Sequence, residues 1–144
     1  MAKVRKVSLN QAQRNALAAN LEQLERALDE FEQLLDSPPA GVTYAIEVDF
    51  APATLQQIHE KCRDLRGQIA EVAVAFDVPR RHINVRRVIA ADLTLAWVNL
   101  QDLRPSRLRG YGDVDPSLTE TLTPRLDRLG ELAAAIRDLA SGGK

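Results

Sequence analysis

Arginines are the side chains in this sequence with the most chemical capacity, and they fall in two clusters. The first is Arg80, Arg81, Asn84, Arg86 and Arg87, with His82 among them, just after a turn at Asp77-Val78-Pro79. Guanidinium and carboxamide groups match the edges of guanine and adenine, so the chemistry suits nucleic acid. Around it, residues 69–88 approximate a helix-turn-helix, with Ala73 and the apolar Val72, Phe76, Val78 and Ile83 at the expected places. The turn lacks the usual glycine, and Arg86 stands where such motifs are apolar. The same residues therefore also describe an ordinary helical hairpin with an arginine-solvated corner.

The second cluster, Arg104, Arg107 and Arg109, surrounds Gly110, Tyr111 and Gly112 in an expected loop over 104–112. Guanidinium groups grip phosphate or carboxylate in bidentate fashion, which makes an anion the natural ligand. The stretch follows a helix and contains no Gly-Lys-Ser/Thr, so it is neither a phosphate-binding loop nor a dinucleotide fingerprint. The plainer alternative is loop packing, with Tyr111 folded over a helix end.

Catalytic and metal chemistry finds less support. His59 and Cys62 lie one helical turn apart, but Cys62 falls on an apolar seam, which points to an inert buried thiol. Neither His59 nor His82 has a glutamate three residues before it, as a di-iron bundle requires. Asp113, Asp115 and Glu120 read as turn and cap residues rather than as a metal set. No enzyme activity, cofactor or metal is expected.

Four helices must position these groups. Ser8-Leu9-Asn10-Gln11 has capping-box form, and Leu17, Leu21, Leu24, Leu28, Phe31 and Leu35 then recur at steps of 4, 3, 4, 3 and 4. This predicts helix one over 8–36, stopped by Ser37-Pro38-Pro39. Leu55, Ile58, Cys62, Leu65, Ile69, Val72 and Phe76 give a matching seam for helix two over 53–77, entered at Pro52 or at a Thr54 capping box. Helix three is expected over 79–103. Helix four is expected over 116–140, with a kink or restart at Thr123-Pro124. The fold class is all-α, a four-helix bundle in a single domain of 144 residues, with frayed ends at 1–6 and 141–144.

One stretch breaks the helical rule. Val42, Tyr44, Ile46, Val48 and Phe50 alternate with polar Thr43, Glu47 and Asp49, which is the period of an extended segment with one buried face. A lone strand needs a partner for its ladder: residues 4–7 of this chain, or another subunit. Nine extended residues span about 30 Å, enough to run back along a bundle and leave helices one and two parallel.

The formal charge of -1 conceals a polar distribution. Residues 78–112 hold seven arginines against two aspartates, while residues 22–49 hold eight acids against one arginine. No global positive field draws the chain to nucleic acid, and no run of 18 apolar residues suits a membrane. The basic start lacks the apolar stretch of a signal peptide, so the expected location is cytoplasmic. With 45% hydrophobic residues and strict seams, the chain reads first as a non-enzymatic interaction protein, a homodimer or a partner of another protein. Its partner-binding residues are then Val42, Tyr44, Ile46, Val48 and Phe50. The alternative is a nucleic-acid-binding protein using the two arginine clusters.

Overall fold

The structure is a computed structural model, and it describes residues 8–142. The expected pairing stretch at residues 4–7 and the expected frayed end at 1–6 lie outside the described residues. The elements are α1 (Gln11–Asp36), α2 (Pro52–Ala75), α3 (Val85–Gln101), α4 (Pro105–Leu108), α5 (Leu118–Thr121) and α6 (Thr123–Gly142), with a 3-10 turn at Arg109–Tyr111. The protein is all-helical. Its chain divides into two compact units, Met1–Arg81 and His82–Lys144.

In the first unit, α1 begins two residues later than the Ser8 box predicts. Asn10 is the cap: its side chain accepts from the Gln13 backbone N–H at 2.8 Å, and the Gln13 side chain accepts from the Asn10 N–H at 3.0 Å. Both positions have the box form, and asparagine caps at least as well as serine. For α2 the Pro52 entry is the one used, with proline in the first turn and no side-chain cap at Ala51.

The two helices are antiparallel. His59, near the start of α2, meets Asp36 at the end of α1 (3.2 Å), while Asp77, just past α2, lies 3.8 Å from Arg14 in the first turn of α1. The length of the connection left both the parallel and the antiparallel arrangement open, and the antiparallel one is adopted. Between the helices, Leu28, Cys62 and Ile69 are buried, with Leu21, Ile58 and Leu65 packed around them. The α2 seam is thus used over 58–69, and on the α1 seam Leu17, Leu21, Leu28 and Leu35 are buried or half-buried. Leu24 and Phe31 remain exposed.

The connection between α1 and α2 forms no strand. The Gly41 N–H donates to the Tyr44 carbonyl (2.9 Å), an isolated antiparallel bridge joins Ala40 to Ala45, and the chain doubles back. The Tyr44 ring covers Gly41 so closely that a β-carbon there would sit 2.7 Å from the ring. The alternation that predicts an extended run across the whole of 42–50 is interrupted by this turn.

In the second unit, α3 starts at Val85 rather than 79. Asn84 supplies the cap, its side chain accepting from the Arg86 N–H at 2.9 Å, and residues 78–84 have no regular structure. A proline in the first turn permits a helix, but without a capping side chain the first donors stay unsatisfied until Asn84. The predicted helix over 116–140 is divided: α5 is a single turn, the chain breaks at Leu122, and α6 restarts at Thr123 as the Pro124 position predicts. Its C-terminal end runs to Gly142, past the expected stop at 140 and into the expected frayed end at 141–144, whose residues 143–144 lie outside the described residues.

Helices α3 and α6 pair antiparallel. Gly130 lies under Trp97, where a β-carbon would stand 3.3 Å from the indole Nε1, and Arg104 reaches Asp127 at 2.7 Å. Leu126 and Gly130 are buried, yet α3 buries no residue at all. One stripe of α3 (Ile89, Leu93, Leu100) is half-buried in the hairpin. On the opposite side Val88, Ala91, Leu95 and Val98 recur at steps of 3, 4 and 3, with Leu95 62% and Val98 49% exposed.

Burial sets the first prediction. Leu28→Ala should lower unfolding stability by about 2–4 kcal/mol, because it opens the centre of a small core. Val74→Ala, at an exposed site on α2, should change it by about 0.5 kcal/mol or less. Chemical denaturation of the two variants checks this, and equal effects would contradict the assigned core.

Candidate functional site

Of the partner-binding residues expected at 42–50, Val42 is fully exposed and Tyr44 half-exposed on its turn. Ile46, Val48 and Phe50 are one-third to one-half exposed. They line an apolar groove of about 280 Å³ together with Phe31, Leu34 and Ile58 of the first hairpin. Among the described residues, the backbone of 46–50 makes no ladder hydrogen bonds. These side chains thus lean on α1 and α2 from a single chain segment, rather than from a sheet.

The first arginine cluster is not displayed on one helix. Arg80 and Arg81 sit in the irregular stretch before α3, and only Arg86 and Arg87 occupy its first turn. The amide of Asn84 is engaged in capping. The second helix of the pattern expected over 69–88 thus does not start after Pro79, and Arg80 and Arg81 lie outside it. Arg80 and Arg81 instead border a groove of about 400 Å³ near Glu22 and Glu25, and Arg81 Nη1 lies 3.7 Å from Glu22 Oε1.

The segment 104–112 is ordered as α4 and the 3-10 turn rather than as an open loop. Arg104 is already committed, since its Nε donates to Gln101 at 3.0 Å and its Nη2 to Asp127 at 2.7 Å. It ties the end of α3 to α6. Arg107, Arg109 and Tyr111 point into solvent, so Tyr111 does not cover a helix end as the plainer reading expects. Gly112 has φ 144°, a backbone conformation that suits only glycine.

His59 and Cys62 do not form a site together. His59 faces Asp36, and Cys62 is buried in the hairpin core. Among the described residues, no group of three His, Cys, Asp or Glu side chains is arranged to hold a metal. Asp115 accepts from the backbone N–H of Ser117 and from its hydroxyl, both at 2.8 Å. These bonds hold its carboxyl below the usual aspartate range, the N–H contributing most.

Two features escaped the sequence reading. Arg66 on α2 reaches across to α1, donating from Nε and Nη2 to Glu32 (3.1 and 3.0 Å) and from Nη2 to Asp29 (2.8 Å). The hydrogen bonds it donates to Glu32 and then to Asp29 raise its pKa above the ordinary guanidinium value. The signal was present: two acids three residues apart, just off one seam, and an arginine just off the next. The second feature is a second apolar stripe on α3, hidden when the helix is read for its single best seam. On α6, by contrast, the leucine spacing puts Leu129 and Ile136 on the packed stripe with Leu126 and Ala133, and the structure leaves both about half exposed.

The lowered carboxyl of Asp115 has a sign. A group with a folded pKa below its unfolded one adds stability above the unfolded value, and loses it as pH falls through the folded value. Wild-type protein should exceed Asp115→Asn in stability near neutral pH, and the difference should close as acid protonates the carboxyl below the usual aspartate range. Unfolding midpoints across pH check this; a difference that persists in acid would contradict the assignment.

The chain matches no family model, no curated protein and no solved structure.

Proposed function

We propose that this chain is a non-enzymatic helical interaction protein that self-associates, with the homodimer as its working form. The observation that carries this reading is α3, which is apolar on two opposite sides yet buries none of its residues. One neighbouring helix can cover only one side of such a helix, so the opposite apolar side needs other cover.

Leu95 and Val98 on α3, and Leu129, Leu132, Ile136 and Leu139 on α6, are each 45% or more exposed, and water around such side chains favours association. The four-helix bundle implied by four long amphipathic helices is, in this reading, completed when hairpins from two copies meet.

The 42–50 segment contributes through its side chains, with Val42 and Tyr44 outermost. Among the described residues, no helix is long and apolar enough to cross a membrane.

Sedimentation velocity over a range of concentrations tests the proposal. A dimer that dissociates on dilution is the expected result. A strict monomer at high micromolar concentration would overturn it.

A further inference from the structure

In the first unit, Ile46, Val48 and Phe50 line one groove with Phe31, Leu34 and Ile58, and Glu47 and Asp49 between them are exposed. Every second side chain on one groove is the period of a strand. Among the described residues, the 46–50 backbone makes no hydrogen bond to other backbone. Neither Glu47 nor Asp49 has an ion-pair partner among them. This is an open strand edge beside an apolar groove, and it carries two carboxylates.

Opposite charges facing one another across a strand pair attract, and like charges repel. Glu47-Val48-Asp49 therefore matches a strand that sets basic, apolar and basic residues opposite it. A second copy of 46–50 fails the match, because antiparallel pairing centred on Val48 opposes Glu47 to Asp49. The basic, apolar, basic pattern occurs in the chain at Lys3-Val4-Arg5, Lys61-Cys62-Arg63 and Arg107-Leu108-Arg109. The second lies within α2, and the third in α4 and the 3-10 turn after it. Lys3-Val4-Arg5, outside the described residues, remains. With Val4 antiparallel and opposite Val48, Arg5 faces Glu47 and Lys3 faces Asp49.

The chain's own copy of this segment falls short of the groove. Phe31 and Leu34 lie about 31 and 36 Å beyond the cap residue Asn10 along α1, whereas the chain from Val4 to Asn10 spans about 22 Å at most. A two-fold axis that sets two α1 helices antiparallel removes the shortfall, since the start of each helix then lies beside the end of the other. Each copy gives one segment and receives one.

We infer that the 46–50 segment receives Lys3-Val4-Arg5 of a second copy as an added antiparallel strand, reciprocally across a two-fold axis. The inference rests on the self-association proposed above and names its contact. The incoming backbone supplies the ladder that 46–50 lacks, and the paired charges fix its register.

The test uses full chains in sedimentation velocity. One variant carries Glu47→Lys with Asp49→Lys, the other Lys3→Glu with Arg5→Glu. Each alone should keep the helical circular dichroism of the wild type and raise the dimer dissociation constant by about tenfold or more. Mixed in equal amounts, the two variants regain opposite charges at both contacts, and dimerisation should return. Under mild oxidation, a chain with Val4→Cys and Val48→Cys should form a disulfide between copies, and one with Val4→Cys and Val42→Cys should not. Variants that dimerise as tightly as the wild type overturn the inference while leaving self-association intact. Variants that dissociate and are not restored by mixing overturn it, as does a 4–48 disulfide within one chain. A wild type that stays monomeric at high micromolar concentration overturns both proposals.

Discussion

Two α-helices packed side by side can hide only one stripe of each from water. That limit governs most of what this protein exposes. Its long helices are pairs, α1 with α2 and α3 with α6, and each pair closes over a handful of residues. Leu28, Cys62 and Ile69 hold the first, and Leu126 with Gly130 holds the second. Any apolar residue outside the paired stripes must remain wet or find cover elsewhere, which turns a folding constraint into an association tendency.

Because the apolar contact is thin, polar contacts carry an unusual share of the definition of each hairpin. Arg66 grips Asp29 and Glu32 across the first pair, and Arg104 joins Gln101 to Asp127 in the second. Pairs like these contribute modestly to stability at a wet surface, but their geometry fixes how far one helix slides along the other. Two arginines that composition alone offers to an anionic partner are thus spent on register.

Helical class and the α1 stop at Asp36 were legible in the sequence, as were the Pro52 entry to α2 and the restart at Thr123 as one of two readings each, since all depend on local chemistry: proline geometry, or the spacing of leucines along one face. What failed was competition between local signals of equal form. Ser8 and Asn10 both have the capping-box form, and Asn10 is used; α3, expected from residue 79, starts only at Val85, where Asn84 supplies the cap. The alternation at 42–50 was read as continuous, but Gly41 and Tyr44 close a turn inside it through a contact that no periodicity encodes. Among the candidate site residues, types and positions were visible. Whether Arg104 faces solvent or Asp127 depends on a helix 23 residues away, which spacing cannot convey.

Trp97 is the single tryptophan of the chain, and it stands in the second unit against Gly130. Indole emission consequently reports on one hairpin, whereas the far-ultraviolet signal sums over both. Superposed melting curves from the two probes measure how strongly the halves of this molecule are thermodynamically coupled, and a separation between them would make each hairpin a cooperative unit in its own right.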